Sequence, residues 1–150
     1  MKHVAILAFD MALSSTITGI MDVFNMSGKT WNRLNDKPKE NRFKVSLVSC
    51  DGNPVNCIGD IQLGVHGSIH DFHKIDLLVI PTVAGNPQRT IELNKAALPW
   101  IKKYYEQGAD IASSSTGVYF LAEAGILSNK AATIHWGYAK EFSERYPEVN

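Results

Sequence analysis

Two short runs, His3-Val-Ala-Ile-Leu-Ala-Phe9 and Ile75-Asp-Leu-Leu-Val-Ile-Pro81, are almost unbroken in apolar residues and stop after a single strand's length. A segment that is apolar on every side yet too short for a buried helix is expected as a strand covered on both faces. Such strands belong to a parallel sheet between helical layers. Phe43-Lys-Val-Ser-Leu-Val-Ser49 adds a strand that alternates and is rich in β-branched residues, with Asp51-Gly52 as its closing turn.

The segments between these strands carry a different period. After Ser14-Ser-Thr16, the apolar residues Ile17, Ile20, Met21, Phe24 and Met26 recur at helical spacing and predict a first helix ending near Leu34. Residues 55 to 69 scatter Gly59, Gly64 and Gly67 among short apolar pieces, which predicts a small hairpin or excursion. The helical pattern resumes near Pro87 and runs, with a break before Pro99, to Glu106, where Gly108 stops it. A strand at Ile111 and a helix over Gly117–Glu123 follow, with Gly125 placed as a C-cap. Strands alternating with amphipathic helices imply right-handed crossovers and an α/β fold, a parallel-sheet sandwich with helices on both faces. Ligands of such sheets sit beyond the carboxyl ends of the strands. The loop after Phe9, the Thr82–Asn86 loop and the bend at Ser115 are expected to meet there.

That bend lies in Asp110-Ile-Ala-Ser-Ser-Ser-Thr-Gly-Val-Tyr-Phe-Leu-Ala-Glu-Ala-Gly125, which reads as a strand turning sharply into a helix with Ser115 at the tip. Small residues at Ser113 and Gly117 let backbone approach backbone, as a nucleophile elbow requires. The plainer reading makes a serine here an N-cap, its oxygen accepting from an N–H of the first turn, or part of an anion site. Two cysteines, Cys50 and Cys57, are too few for a disulfide framework and are read as packing residues. Cys57 is the more reactive candidate because its segment is rich in Gly, Asn and Pro. His66, His70 and His73 lack accompanying carboxylate or cysteine geometry, so no metal is expected. Arg89, near the start of its helix, is either a solvated arginine or a partner for an anionic ligand.

The 150 residues suffice for one domain with a substantial core. Fifteen Lys+Arg balance fifteen Asp+Glu, so no net field gathers nucleic acid or an anionic membrane. The Lys37–Arg42 stretch reads as a solvated loop, and no DNA- or RNA-binding pattern is present. Asp10 interrupts the N-terminal apolar run before a signal core forms, no stretch is long enough to span a bilayer, and a cytoplasmic location is expected.

Gly19-Ile-Met-Asp-Val-Phe24, Asp76-Leu-Leu-Val-Ile-Pro81, Trp100-Ile101, Ser113-Ser-Ser-Thr-Gly117, Leu121-Ala-Glu-Ala-Gly-Ile-Leu127 and Ala132-Thr-Ile-His-Trp136 together resemble the ThiJ/PfpI superfamily. Its fold is flavodoxin-like and related to class I glutamine amidotransferases. Within it, the chain resembles the amidase-like sensor domains that precede the DNA-binding part of AraC-type regulators. The resemblance implies a small-molecule ligand, a homodimer, no cofactor, and DNA contact only through a region absent from this chain. It also implies one domain over residues 1–150 whose C-terminal end stops short of a further strand and a long helix. The family's elbow cysteine falls on Ser115, its acidic partner on Asp22, its histidine on His135 and its oxyanion amide on Thr116. A serine in place of cysteine removes the easily ionised thiol, so a non-catalytic sensing domain is expected. Its ligand would be held by Asp22, Gly85, Ser115, Thr116, Gly117 and His135. The alternative is an amidase-like hydrolase or glyoxalase-like enzyme using Ser115 with His135 as base and Asp22 beside it.

Overall fold

The computed structural model describes all residues, 1–150. The strands are β1 (Lys2–Leu7), β2 (Phe43–Ser49), β3 (Val55–Cys57), β4 (Ile61–Leu63), β5 (Gly67–Ser68), β6 (Leu77–Ile80) and β7 (Asp110–Ser113). The helices are α1 (Ser14–Met26), α2 (Thr30–Leu34), α3 (Pro87–Leu93), α4 (Ala97–Glu106), α5 (Val118–Glu123) and α6 (Ala139–Arg145). Five strands form one sheet in the order β5-β2-β1-β6-β7, parallel throughout, and β3 and β4 form a separate antiparallel hairpin. No helix is long and apolar enough to cross a membrane.

The first apolar run explains the centre of this sheet. β1 is paired on both edges, Val4 with Val45 and with Leu77, and Val4 through Phe9 are fully buried. From β1 the chain crosses to β2 on one side, and later from β6 to β7 on the other. With right-handed crossovers, opposite directions of travel place α1 on one face and α3 and α4 on the other. Phe24 of α1 meets Phe43 of β2 edge-on at 4.9 Å between ring centres, while α5 packs on α3 and α4.

The first helix departs from expectation, since two helices occupy the span to Leu34. Gly28 separates them with φ +77°, and a Cβ there would stand 2.6 Å from the Glu40 carbonyl oxygen. The return of the chain toward β2 thus passes against Gly28, a long-range approach that helical periodicity does not carry. The break in the later helical segment falls at Asn94–Ala96, and Pro99 sits in the first turn of α4, where its missing N–H costs no intrahelical bond. The Asn86 side chain caps α3 by accepting from Arg89 N–H at 2.9 Å, with Pro87 next in line. The excursion resolves into the β3–β4 hairpin and the short β5. His66 serves structure there: its Nδ1 accepts from Leu47 N–H at 2.9 Å.

Candidate functional site at the strand carboxyl ends

The three loops meet beyond the carboxyl ends of β1, β6 and β7, as expected, and hydrogen bonds join them. Leu13 N–H donates to the Thr82 carbonyl at 2.9 Å, and Thr82 N–H donates to Thr16 Oγ1 at 3.1 Å. Ala12 and Val83 form an antiparallel bridge. On the other side, the Thr82 and Ser114 hydroxyls lie 3.0 Å apart, and the buried Thr116 hydroxyl donates to the Val83 carbonyl at 2.7 Å. The loop after β6 is therefore held between the start of α1 and the bend after β7.

The bend is an elbow. Ser114 is extended, with φ −105° and ψ 123°, and Ser115 follows in the left-handed region with φ +49°. A residue with a Cβ pays for that conformation in local strain, about 1–2 kcal/mol. Gly117 makes the bend possible: a Cβ there would lie 2.5 Å from the Pro81 carbonyl oxygen and 2.8 Å from that of Ile80. The Ser115 side chain is exposed and makes no hydrogen bond, and Ser114 in the N-cap position makes no side-chain cap bond either. Capping is therefore not what this serine does.

The expected partners take the following positions. Asp22 lies on the exposed side of α1, and its carboxylate makes no hydrogen bond to Ser115 or to any other group. His135 is also exposed. Its Nδ1 accepts from Gly137 N–H at 3.1 Å, capping a single 3-10 turn over Trp136–Tyr138. A neutral imidazole that accepts at Nδ1 carries its proton on Nε2 and has only a donor left to offer. His135 reaches the elbow helix through rings alone, standing 6.2 Å from Tyr138, which in turn stands 6.3 Å edge-on from Tyr119 of α5. The amide of Gly117, expected to hold a ligand, is instead used internally, donating to the Ser114 carbonyl at 2.9 Å. That expectation is corrected by the tightness of the turn itself.

Both cysteines pack against the core as expected, but their order of accessibility is the reverse of the one expected. Cys57 is buried in the hairpin, and burial followed by the nearby Asp10 pushes its thiol pKa up. Cys50 is the more accessible, and burial together with Asp51 raises its pKa too. Neither is poised as a thiolate.

Sequence reasoning missed a cavity of about 460 Å³ beside the elbow, lined by Asp10, Met11, Asn56, Gly85, Asn86, Arg89, Thr90 and Leu93. Of the residues expected in the site, Gly85 and Asn86 of the Thr82–Asn86 loop line it, as does Arg89, one reading of which was a partner for an anionic ligand; Asp22, Ser115, Thr116, Gly117 and His135 do not. Met11 holds the left-handed region with φ +65°, its N–H donating to the Asn56 carbonyl and its carbonyl accepting from Ala84 N–H, both at 2.9 Å. Asp10 Oδ1 accepts from Asn56 N–H at 2.7 Å. These bonds join positions more than forty residues apart, and no local pattern announces them. The available signals were the Asp10 that interrupts an otherwise apolar run at the end of β1 and the Arg89 near the start of its helix.

A five-stranded parallel sheet with a left-handed serine at the strand-to-helix bend defines a class of α/β domain built around a nucleophile-type elbow. The chain belongs to the DJ-1/PfpI family, whose model matches residues 2–148. It is 34% identical over 116 residues to the HTH-type transcriptional regulator CdhR of Pseudomonas aeruginosa, a match covering 73% of this chain and 33% of that protein. It is 27% identical over 148 residues to an uncharacterized Streptomyces lividans protein from the cpoL 5′ region, covering 97% of this chain and 95% of that one. The crystal structure of an AraC family transcriptional regulator from Pseudomonas putida has the same fold, with a TM-score of 0.77 at 24% identity, covering all of this chain and 75% of that one. The chain thus spans about a third of the regulator it matches and nearly all of the Streptomyces protein.

Proposed function

We propose that this chain is a non-catalytic, small-molecule-sensing domain of the kind carried by AraC-type transcriptional regulators. The observation that carries this reading is Ser115: it occupies the strained elbow, exposed, with no base bonded to its hydroxyl. A serine hydroxyl is a poor nucleophile unless a base is directly hydrogen-bonded to it. His135 spends its acceptor on Gly137, and Asp22 makes no bond to the hydroxyl, so the elbow keeps its shape without an activating partner. The likeness to CdhR supports placing such a domain in a regulator. DNA contact then belongs to residues outside this chain, whose surface has no net charge to supply it.

Two copies of the domain would pair to bury apolar surface. Val23, Met26, Trp31 and Leu34 are 69%, 54%, 68% and 71% exposed on the consecutive helices α1 and α2, and this is the apolar surface such a pairing would cover. Light scattering of purified protein, wild type against Trp31→Glu, reads this directly.

The sensing reading is tested by calorimetry of a metabolite panel on wild type, together with a serine-directed fluorophosphonate probe. Saturable ligand binding without labelling of Ser115 is the expected result. Covalent labelling at neutral to mildly alkaline pH that disappears in Ser115→Ala would replace this reading with a hydrolase.

A further inference from the structure

We infer that the ligand site of this domain is the 460 Å³ cavity next to the elbow rather than the elbow itself, and that it takes a small zwitterion whose anionic end meets Arg89 and whose cationic end meets Asp10. The inference rests on the sensing reading above and deepens it by naming the site and the ligand class.

Four observations lead there. First, the cavity is an open cleft whose volume admits a small metabolite. It lies where the chain changes direction across the sheet, between the loops that follow β1 and β6, which are neighbouring strands with crossovers running opposite ways. Crevices at such switch points collect ligands in open parallel sheets.

Second, its charged lining consists of one acid and one base. Arg89 forms no ion pair within the chain, and its backbone N–H is already used on Asn86, so the guanidinium is the uncommitted part of the residue. A guanidinium presents a planar fork matched to a carboxylate. Asp10 spends Oδ1 on Asn56 N–H, which fixes the carboxylate and leaves Oδ2 without a protein partner. The remaining polar lining, Asn56, Asn86 and Thr90, is neutral. Both side chains reach solvent, so a ligand bearing a single charge would pair with one and leave the other to water, whereas a molecule with both charges meets each.

Third, the walls are preorganised. Met11 is held at φ +65° by hydrogen bonds from two different segments, an arrangement that a bulky side chain adopts only when its surroundings dictate it. Its side chain packs on Gly85, where an added Cβ would stand 3.2 Å from the Met11 Cβ, so the residue at 85 sets the width of the cavity. Fourth, Ser115, Asp22 and His135 line none of the cavities in the structure, so the elbow itself encloses nothing.

The experiment is calorimetric titration with a ladder of unbranched ω-amino carboxylates, from glycine through 4-aminobutyrate to 6-aminohexanoate, with butyrate and butylamine as singly charged controls. Wild type is expected to prefer one ladder length and to bind both controls at least about tenfold more weakly, the size of a lost charged hydrogen bond. Arg89→Gln and Asp10→Asn, which keep the backbone bond and the Oδ1 acceptor, are each expected to weaken that preferred ligand by about tenfold or more. Ser115→Trp is expected to leave it unchanged. Loss of binding in Ser115→Trp, with Arg89→Gln and Asp10→Asn unaffected, would return the ligand to the elbow and overturn this inference while sparing the sensing reading. If the ladder fails to bind while a broader metabolite panel does, the zwitterion assignment falls alone; if neither binds, both readings fall.

Discussion

Gly117→Ala is the sharpest probe of the elbow, because the sign of its effect is decided by one packing distance. The backbone at Gly117 has φ −59° and ψ −22°, which alanine accepts without strain, so on conformational grounds the change would stabilise by about 0.4–1 kcal/mol. The new methyl, however, would meet the Pro81 and Ile80 carbonyl oxygens at 2.5 and 2.8 Å, where ordinary contact begins near 3.4 Å. Both obstacles are backbone atoms, one at the end of β6 and the other just after it, and neither swings away as a side chain would. Relief requires β6 and the elbow to separate by about 0.6–0.9 Å, an overpacking of the kind that costs about 1–3 kcal/mol. The net expectation is a loss centred at about 1.3 kcal/mol and reaching about 2.6 kcal/mol, or a fall in Tm of up to about 10 °C for a chain of this size. Gly19→Ala is the control: it sits inside α1 with nothing within 4 Å of its added Cβ, and should gain about 0.5–1 kcal/mol. Urea unfolding followed by far-UV circular dichroism gives both midpoints. A Gly117→Ala protein as stable as wild type, with an unchanged m-value, would refute the close approach on which the elbow is built.

Ser115→Gly removes a side chain from the left-handed region and should leave stability unchanged or raised by up to about 1 kcal/mol, read by the same urea titration. Thr116→Val keeps the shape of a buried side chain but strips the Val83 carbonyl of its donor, and should cost about 1–3 kcal/mol by the same measurement. Glu123→Gln tests the clamp that joins α5 to α6. Glu123 Oε1 accepts from Tyr146 Oη at 2.6 Å and from Arg145 Nη2 at 2.8 Å, and these bonds, Tyr146 first, hold its pKa below the ordinary 4.5. That stabilisation is complete above the ordinary value and is lost as pH falls through the lowered one. The variant should therefore lose about 1–2 kcal/mol at neutral pH and show a flatter acid limb in thermal unfolding. Tyr146, whose pKa is raised by burial and then by Glu123, gives the opposite limb: stability is lost as pH rises past the ordinary phenol value of 10.0.

What was legible in the chain was what neighbours in sequence decide. The period of Phe43–Ser49 places β2 at those residues, and Pro87 marks the start of α3, because strand alternation and the fit of proline to a helix's first turn are local matters. The elbow was legible for the same reason, since a tight turn needs small residues at fixed offsets. The Gly28 break, the burial of Cys57 and the Asp10–Asn56 bond were not, because each depends on a segment arriving from far along the chain. The same limit explains Gly117. Its presence at the turn was readable, but the commitment of its amide to Ser114 is a matter of turn geometry that residue type does not state. The cavity was the least readable feature, since its walls come from the β1 loop, the hairpin and α3, and only their assembly makes a concavity.

The last residues fold back on the chain: Asn129 N–H donates to the Glu148 carbonyl at 2.7 Å, Asn150 N–H to Lys130 at 2.8 Å, and Ala132 N–H to Asn150 at 2.9 Å. Anything spliced onto Asn150, a fluorescent reporter or a second folded unit, would begin from a mooring with no slack in it. Small shifts in the stretch that connects α5 to His135 would then be transmitted as a change of heading rather than absorbed by a tether. That makes this end a point of attachment from which the orientation of α5 relative to whatever follows can be read by energy transfer.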